Sequence, residues 1–125
     1  CAVLLKTSAF KKAGMFIEDV FMYYDEAFLS MSFKSIGYKI YCAKVGAVIH
    51  DVSQSTKDSN HKKIHYMIRN GFSFFYLFHD NLYMKFKLFF LYIFRSFYYI
   101  KNLHPFYFVI YYKALYHSIK FIKNK

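Results

Sequence analysis

Asp25 and Glu26 follow directly on the apolar-aromatic run Phe21-Met22-Tyr23-Tyr24. Two acids at the end of such a run can do proton chemistry, because burial raises a carboxylate pKa and lets it accept a proton near neutral pH. The same pair also suits the first turn of a following helix, where the helix dipole favours negative charge. His50 closes the apolar stretch Ala47-Val48-Ile49 and, on its own, reads as a polar residue at a strand end, satisfied by the adjacent loop. Cys1 and Cys42 are too few for a disulfide scaffold and too isolated for a zinc site, so they read as free thiols in a reducing compartment.

The elements that must position these groups follow from local signals. Cys1 to Leu5 has the length and character of a strand, and Thr7 or Ser8 can cap a short helix that Gly14 ends. Met15 to Tyr24 reads as an irregular loop with its apolar residues turned inward. A helix then spans about Asp25 to Ile36, with Gly37 as its left-handed stop and Ala27, Leu29, Met31 and Phe33 as packing residues. Tyr38 to Ala43 and Val45 to His50 read as strands separated by a turn at Lys44 and Gly46. The hydrophilic segment Asp51 to Lys63 is a loop and the one candidate boundary. Helices are expected over Ile64 to Phe78, Leu82 to Ile100 and Phe106 to Ile122, with a break forced before Pro105. On the last of these, Lys113, His117, Lys120 and Asn124 recur at spacings that put them on one face. No internal repeat is visible.

Charge and aromatic content divide at that boundary. Residues 1 to 60 carry seven Lys and six acids, whereas residues 61 to 125 carry eleven Lys plus Arg against the single acid Asp80. Of the aromatic residues, nine fall in the first part and twenty-two in the second. A region of this kind faces an anionic partner. Nucleic acid is the less suitable one, since this many rings together with Leu and Ile exceed what a base-stacking groove needs. An anionic membrane surface fits better, with Tyr and Phe at the headgroup boundary, although packing into an ordinary core remains open for the aromatic stripes. A membrane span is not expected, because Lys87, Arg95, Lys101, Lys113 and Lys120 interrupt every apolar window of about 20 residues. The chain opens on Cys and has no basic stretch followed by an apolar one, so a cleavable signal peptide is not expected and the start reads as internal to a longer protein.

Five pieces in register carry a resemblance. They are Cys1-Ala2-Val3-Leu4-Leu5-Lys6, Phe10-Lys11-Lys12-Ala13-Gly14-Met15-Phe16, Phe21-Met22-Tyr23-Tyr24-Asp25-Glu26, Gly37-Tyr38-Lys39-Ile40 and Ala47-Val48-Ile49-His50. Together they resemble the back half of a family 2 glycosyltransferase of the rhamnosyltransferase-like branch. Tyr66, Arg69 and Asn70 match a Y-x-x-R-N that often opens the C-terminal helices there, so the likeness covers residues 1 to about 78. It implies an α/β fold, the C-terminal part of a GT-A type nucleotide-sugar fold, over residues 1–60; the composition of residues 61–125 adds the expectation of a helical, aromatic-rich, basic tail that associates with a membrane. The resemblance implies that Glu26, helped by Asp25, is the base that deprotonates an acceptor hydroxyl. It also implies that His50 contacts the divalent metal, Mg or Mn, or the sugar diphosphate. The sequence departs from the family pattern at Ile17 and Phe28, where acids are usual, and at Ser32, where Arg is usual; in addition Asp25 and Glu26 stand where the family has Glu and then Asp. A D-x-D metal motif and a Gly-rich phosphate loop are both absent from the sequence.

The expectation is therefore a piece of an inverting, nucleotide-sugar-dependent glycosyltransferase, peripheral at the cytoplasmic face of a membrane. It would act on a cell-surface glycan or lipid-linked acceptor, without nucleic acid. The alternative is a catalytically silent, glycosyltransferase-like membrane-binding module.

Overall fold

The computed structural model describes residues 3–44, 46–49, 60–102 and 105–125. Among these residues there are five α-helices, in order α1 (Thr7–Lys12), α2 (Asp25–Ser35), α3 (Asn60–Phe78), α4 (Leu82–Asn102) and α5 (Pro105–Lys123), with a short 3-10 turn at Glu18–Val20 between the first two.

The α/β expectation is overturned: the described residues form an all-helical fold with no strand among them. Residues 38–44 and 46–49 have no regular structure, and Tyr41, Val48 and Ile49 stand open to solvent, as does Leu4 in the first expected strand. The reason is physical. Apolar runs rich in Val, Ile and Tyr become strands only when a neighbouring strand takes up their backbone groups and a packed face covers their side chains. Neither occurs here among the described residues.

The helix stops are where local chemistry puts them. Gly14 and Gly37 have φ of +87° and +82°. After each, the chain closes a Schellman turn: Met15 and Gly14 donate to Phe10 and Lys11, and Tyr38 and Gly37 donate to Phe33 and Lys34. The Phe33 and Tyr38 rings, 6.1 Å apart, supply the apolar contact that accompanies this motif. The start of α1 differs from expectation, since Lys6 is the capping position and no side chain caps it. Pro105 occupies the first position of α5, where its missing N–H costs nothing.

Helix α3 is the central element because two of its stripes are buried against different neighbours. Ile64, Ile68, Phe72 and Tyr76, four residues apart, join Leu88 and Tyr92 of α4 and Tyr111, Ala114, Leu115 and Ile122 of α5 in one core. Asn70, Phe74 and Leu77 face the other way. Phe74 and Leu77 meet Ile17, Val20, Tyr24 and Phe28, with Phe121 of α5 completing this second core. A third, smaller core joins α1 to α2 through Ala9, Leu29 and Phe33. The α3–α5 seam is closed by small polar residues, the Ser118 hydroxyl lying 2.9 Å from the Arg69 carbonyl and 2.8 Å from that of Ala114.

Candidate functional site

The turn that delivers the acidic pair has an unusual backbone. Phe21, Tyr23 and Tyr24 all have positive φ, at 55°, 62° and 66°. For bulky L-residues that region is sterically costly, and it persists only where surrounding structure imposes it.

What imposes it is α3. The Asn70 side chain, 1% exposed, points its amide into the turn, 2.8 Å from the Val20 carbonyl, 2.7 Å from that of Met22 and 3.1 Å from that of Tyr23. An amide carries two N–H groups, so three converging carbonyls share them. One residue earlier, Arg69 donates to the Asp19 carbonyl. Its guanidinium lies between the Tyr66 and Phe121 rings, 5.5 and 5.3 Å from their centres. Burial lowers the Arg69 pKa, with Tyr66 and Asp19 acting in the opposite sense. One residue later, Gly71 leaves room for two hydroxyls, because a Cβ there would lie 3.1 Å from both Tyr24 and Tyr92 Oη. Three consecutive α3 residues thus hold the segment that ends at Asp25.

The acids themselves occupy the first turn of α2, with Phe28 N–H closing the first helical bond onto the Tyr24 carbonyl at 2.9 Å. Asp25 is half-buried and Glu26 is exposed. Adjacent positions on a helix project in different directions, so the two side chains leave the helix on different sides. Glu26 is the one free to meet a solute.

Two positions where the resembled family has acids lie in the apolar core. Phe28 is 2% exposed and packs edge-on against Phe74, Phe78 and Phe121, and Ile17 lies in the same cluster. A carboxylate at either place would be buried without a partner in that cluster.

His50 lies outside the described residues, as does Cys1; Cys42 is exposed with a free thiol. Among the described residues, no three His, Cys, Asp or Glu side chains come together as a metal site, and the Mg or Mn implied by the resemblance is expected only together with a further, donor-binding half.

A second constellation was not anticipated. His65 of α3 and His117 of α5 meet with Nε2 and Nδ1 3.3 Å apart and ring centres 5.2 Å apart. Burial lowers the pKa of both, and cationic neighbours lower them further. The shared face of Lys113, His117 and Lys120 was visible in the sequence, but the residues of α3 that it meets were not.

Between α3, α4 and α5 a cavity of about 260 Å³ is lined by Tyr24, Met67, Ile68, Tyr92, Arg95 and Tyr111. Through Tyr24 it adjoins the turn that carries the acids.

No family model, curated protein or solved structure matches this chain.

Proposed function

We propose that this chain provides the acceptor-side acids of an inverting, nucleotide-sugar-dependent glycosyl transfer carried out at a membrane surface. Glu26 takes the proton from an acceptor hydroxyl. The freed oxygen bonds to the anomeric carbon as the bond from that carbon to the diphosphate breaks, and the electron pair leaves with the diphosphate. Asp25, half-buried beside it, contributes negative charge at the same helix start. The nucleotide-sugar is held by a different polypeptide segment, since this sequence has neither a D-x-D nor a Gly-rich phosphate loop. The acceptor is a glycan or a lipid-linked hydroxyl compound.

One observation carries this reading. Arg69 and Asn70, read from the sequence as a motif separate from the acidic pair, hold the carbonyls of the turn that presents that pair. A costly backbone over-determined by buried donors is the arrangement expected where side-chain placement matters.

The surface supports the membrane part. On α4, Leu82, Phe86, Phe90, Phe94 and Phe97 are all more than half exposed and recur every three or four residues, so they form one stripe. On α5, Phe106, Val109, Tyr112, Tyr116 and Ile119 form another. Contiguous exposed apolar stripes suit a surface that meets something apolar, and the excess of Lys and Arg in this half favours an anionic bilayer. Among the described residues no helix is long and apolar enough to cross a membrane, which is compatible with the peripheral association proposed here.

A specific observation favours the second reading, a silent membrane-binding module: Ile17 and Phe28 have put core where the family keeps acids. Glu26→Gln separates the two. In the longest polypeptide the reading frame encodes, assayed with membranes and a nucleotide-sugar, turnover should fall at least about 100-fold while donor affinity is kept. Unchanged turnover would remove Glu26 from the chemistry, and no turnover in the unsubstituted protein would favour the silent module.

A further inference from the structure

The flank of the α3–α5 seam gathers more positive charge than packing requires. His65 and Arg69 lie one turn apart on α3, and Lys113, His117 and Lys120 share a face of α5. The two imidazoles touch across the seam. Lys113 and Lys120 are exposed, the imidazoles are half-buried, and Tyr66 lies edge-on to His65 with ring centres 5.4 Å apart. Towards the turn before α2 the charged neighbour is Asp19, which lies near Arg69 and also gives Arg69 its backbone carbonyl. Thus α3 contributes Arg69 and Tyr66, α5 contributes Lys113 and Lys120, and the turn contributes Asp19 to the surroundings of the histidine pair.

We propose that His65, His117, Arg69 and Lys113 form a binding site for a phosphate group. The inference is independent of the glycosyl-transfer reading, because it uses neither Glu26 nor Asp25. Phosphate is the suitable ligand class on chemical grounds. Arg69 offers a planar set of N–H donors of which the Asp19 carbonyl takes only part, Lys113 offers a mobile point charge, and each imidazole offers a ring N–H. In the ligand-free pair one ring nitrogen accepts from the other, which requires at least one neutral ring. A bound phosphate dianion offsets the field of Arg69 and Lys113 and accepts from both rings, so each ring can hold a second proton taken from solvent. Binding is therefore coupled to proton uptake, and that coupling has the same origin as the depressed proton affinity of the two free histidines.

The test uses the intact chain and two phosphate sources, with binding read by calorimetry and histidine protonation by NMR. Inorganic pyrophosphate is titrated at about pH 6 and about pH 8, either side of the ordinary imidazole pKa. Vesicles whose anionic lipid is phosphatidate are compared, at equal surface charge, with vesicles containing phosphatidylglycerol, which lacks a terminal phosphate. For whichever source binds, affinity should be roughly tenfold tighter at the lower pH, and the histidine pKa values should rise on saturation. The double variant His65→Gln, His117→Gln should remove the pH dependence. Lys113→Ala, at an exposed position, should weaken binding roughly tenfold without altering the far-UV spectrum. Tight pyrophosphate binding would identify a soluble phosphate ligand, and a phosphatidate preference without pyrophosphate binding would identify a lipid headgroup. Binding to neither source, or binding unchanged by both variants, overturns the proposal.

Discussion

Asn70 and Val20 stand 50 positions apart in sequence, yet the amide of one lies 2.8 Å from the carbonyl of the other, inside the core. Through that contact and its companions to Met22 and Tyr23, the middle of α3 fixes the turn that starts α2.

Removing that amide should therefore unsettle the turn as well as the helix. Asn70→Ala removes the side-chain donor from the Met22 and Tyr23 carbonyls and leaves the Val20 carbonyl with only the Met22 N–H, at an expected cost of about 2–4 kcal/mol. Asn70→Asp should cost more, because it aims a carboxylate at oxygen atoms. Urea unfolding gives the stabilities, and hydrogen exchange at the Phe28 amide, which closes onto Tyr24, reports the turn. A loss below about 1 kcal/mol for Asn70→Ala would show that the turn holds its backbone without the clamp.

Phe28 provides a second test, since the resembled family has an acid there. Within its cluster of Phe74, Phe78 and Phe121, truncation to Ala should cost about 3–5 kcal/mol. Phe28→Asp should be worse still, because it adds an unpaired buried charge to the cavity. If Phe28→Asp proved close to wild type in thermal unfolding, the position would be solvent-facing and the core assignment would fail.

These two residues mark how far the sequence could be read. Helix ends were legible wherever one residue decides them, as at Gly14, Gly37 and Pro105. The apolar spacing of Ile64, Ile68, Phe72 and Tyr76 suits the helix expected to Phe78, but α3 begins at Asn60, inside the polar segment read as loop, because polar residues that make a poor core can still form an exposed first turn. The strands expected over Cys1 to Leu5, Tyr38 to Ala43 and Val45 to His50 do not form in their described parts, because strand formation depends on a partner, which local composition cannot supply. The positive φ values at Phe21, Tyr23 and Tyr24 had no local signal, since nothing about an aromatic residue announces a left-handed backbone. Asn70 was noticed only through a resemblance, and its role emerged from the fold. The His65–His117 contact joins two helices 52 positions apart, so one-helix periodicity showed only half of it.

The same histidine pair predicts the direction of pH dependence. Both residues bind protons less readily in the folded chain than at their ordinary value of 6.5, chiefly through burial. The unfolded state therefore takes up protons first as pH falls. Their contribution to stability is fully present above about pH 6.5 and is lost progressively below it, as pH approaches the depressed folded values. Thermal midpoints measured without phosphate should decline across that interval, and His65→Gln with His117→Gln should flatten the decline. A midpoint that rose on acidification through the same interval would contradict the depressed values.

The aromatic stripes lead to the last prediction. Each Lys or Arg close to an anionic leaflet contributes about 1 kcal/mol, and that part is screened by salt, whereas burial of exposed rings is not. Because α4 presents Phe86, Phe90 and Phe94 together, co-sedimentation with anionic vesicles should fall only in part at high salt. Replacing these three residues with Ser should abolish the salt-resistant fraction and leave the salt-sensitive one. The substitutions lie on an exposed face, so unfolding should change by less than about 1 kcal/mol. If the triple variant bound vesicles at high salt as well as the original chain does, the α4 stripe would not be the inserted face. If the original chain failed to bind anionic vesicles even at low salt, the membrane assignment would be wrong, and the stripes would belong against another polypeptide surface.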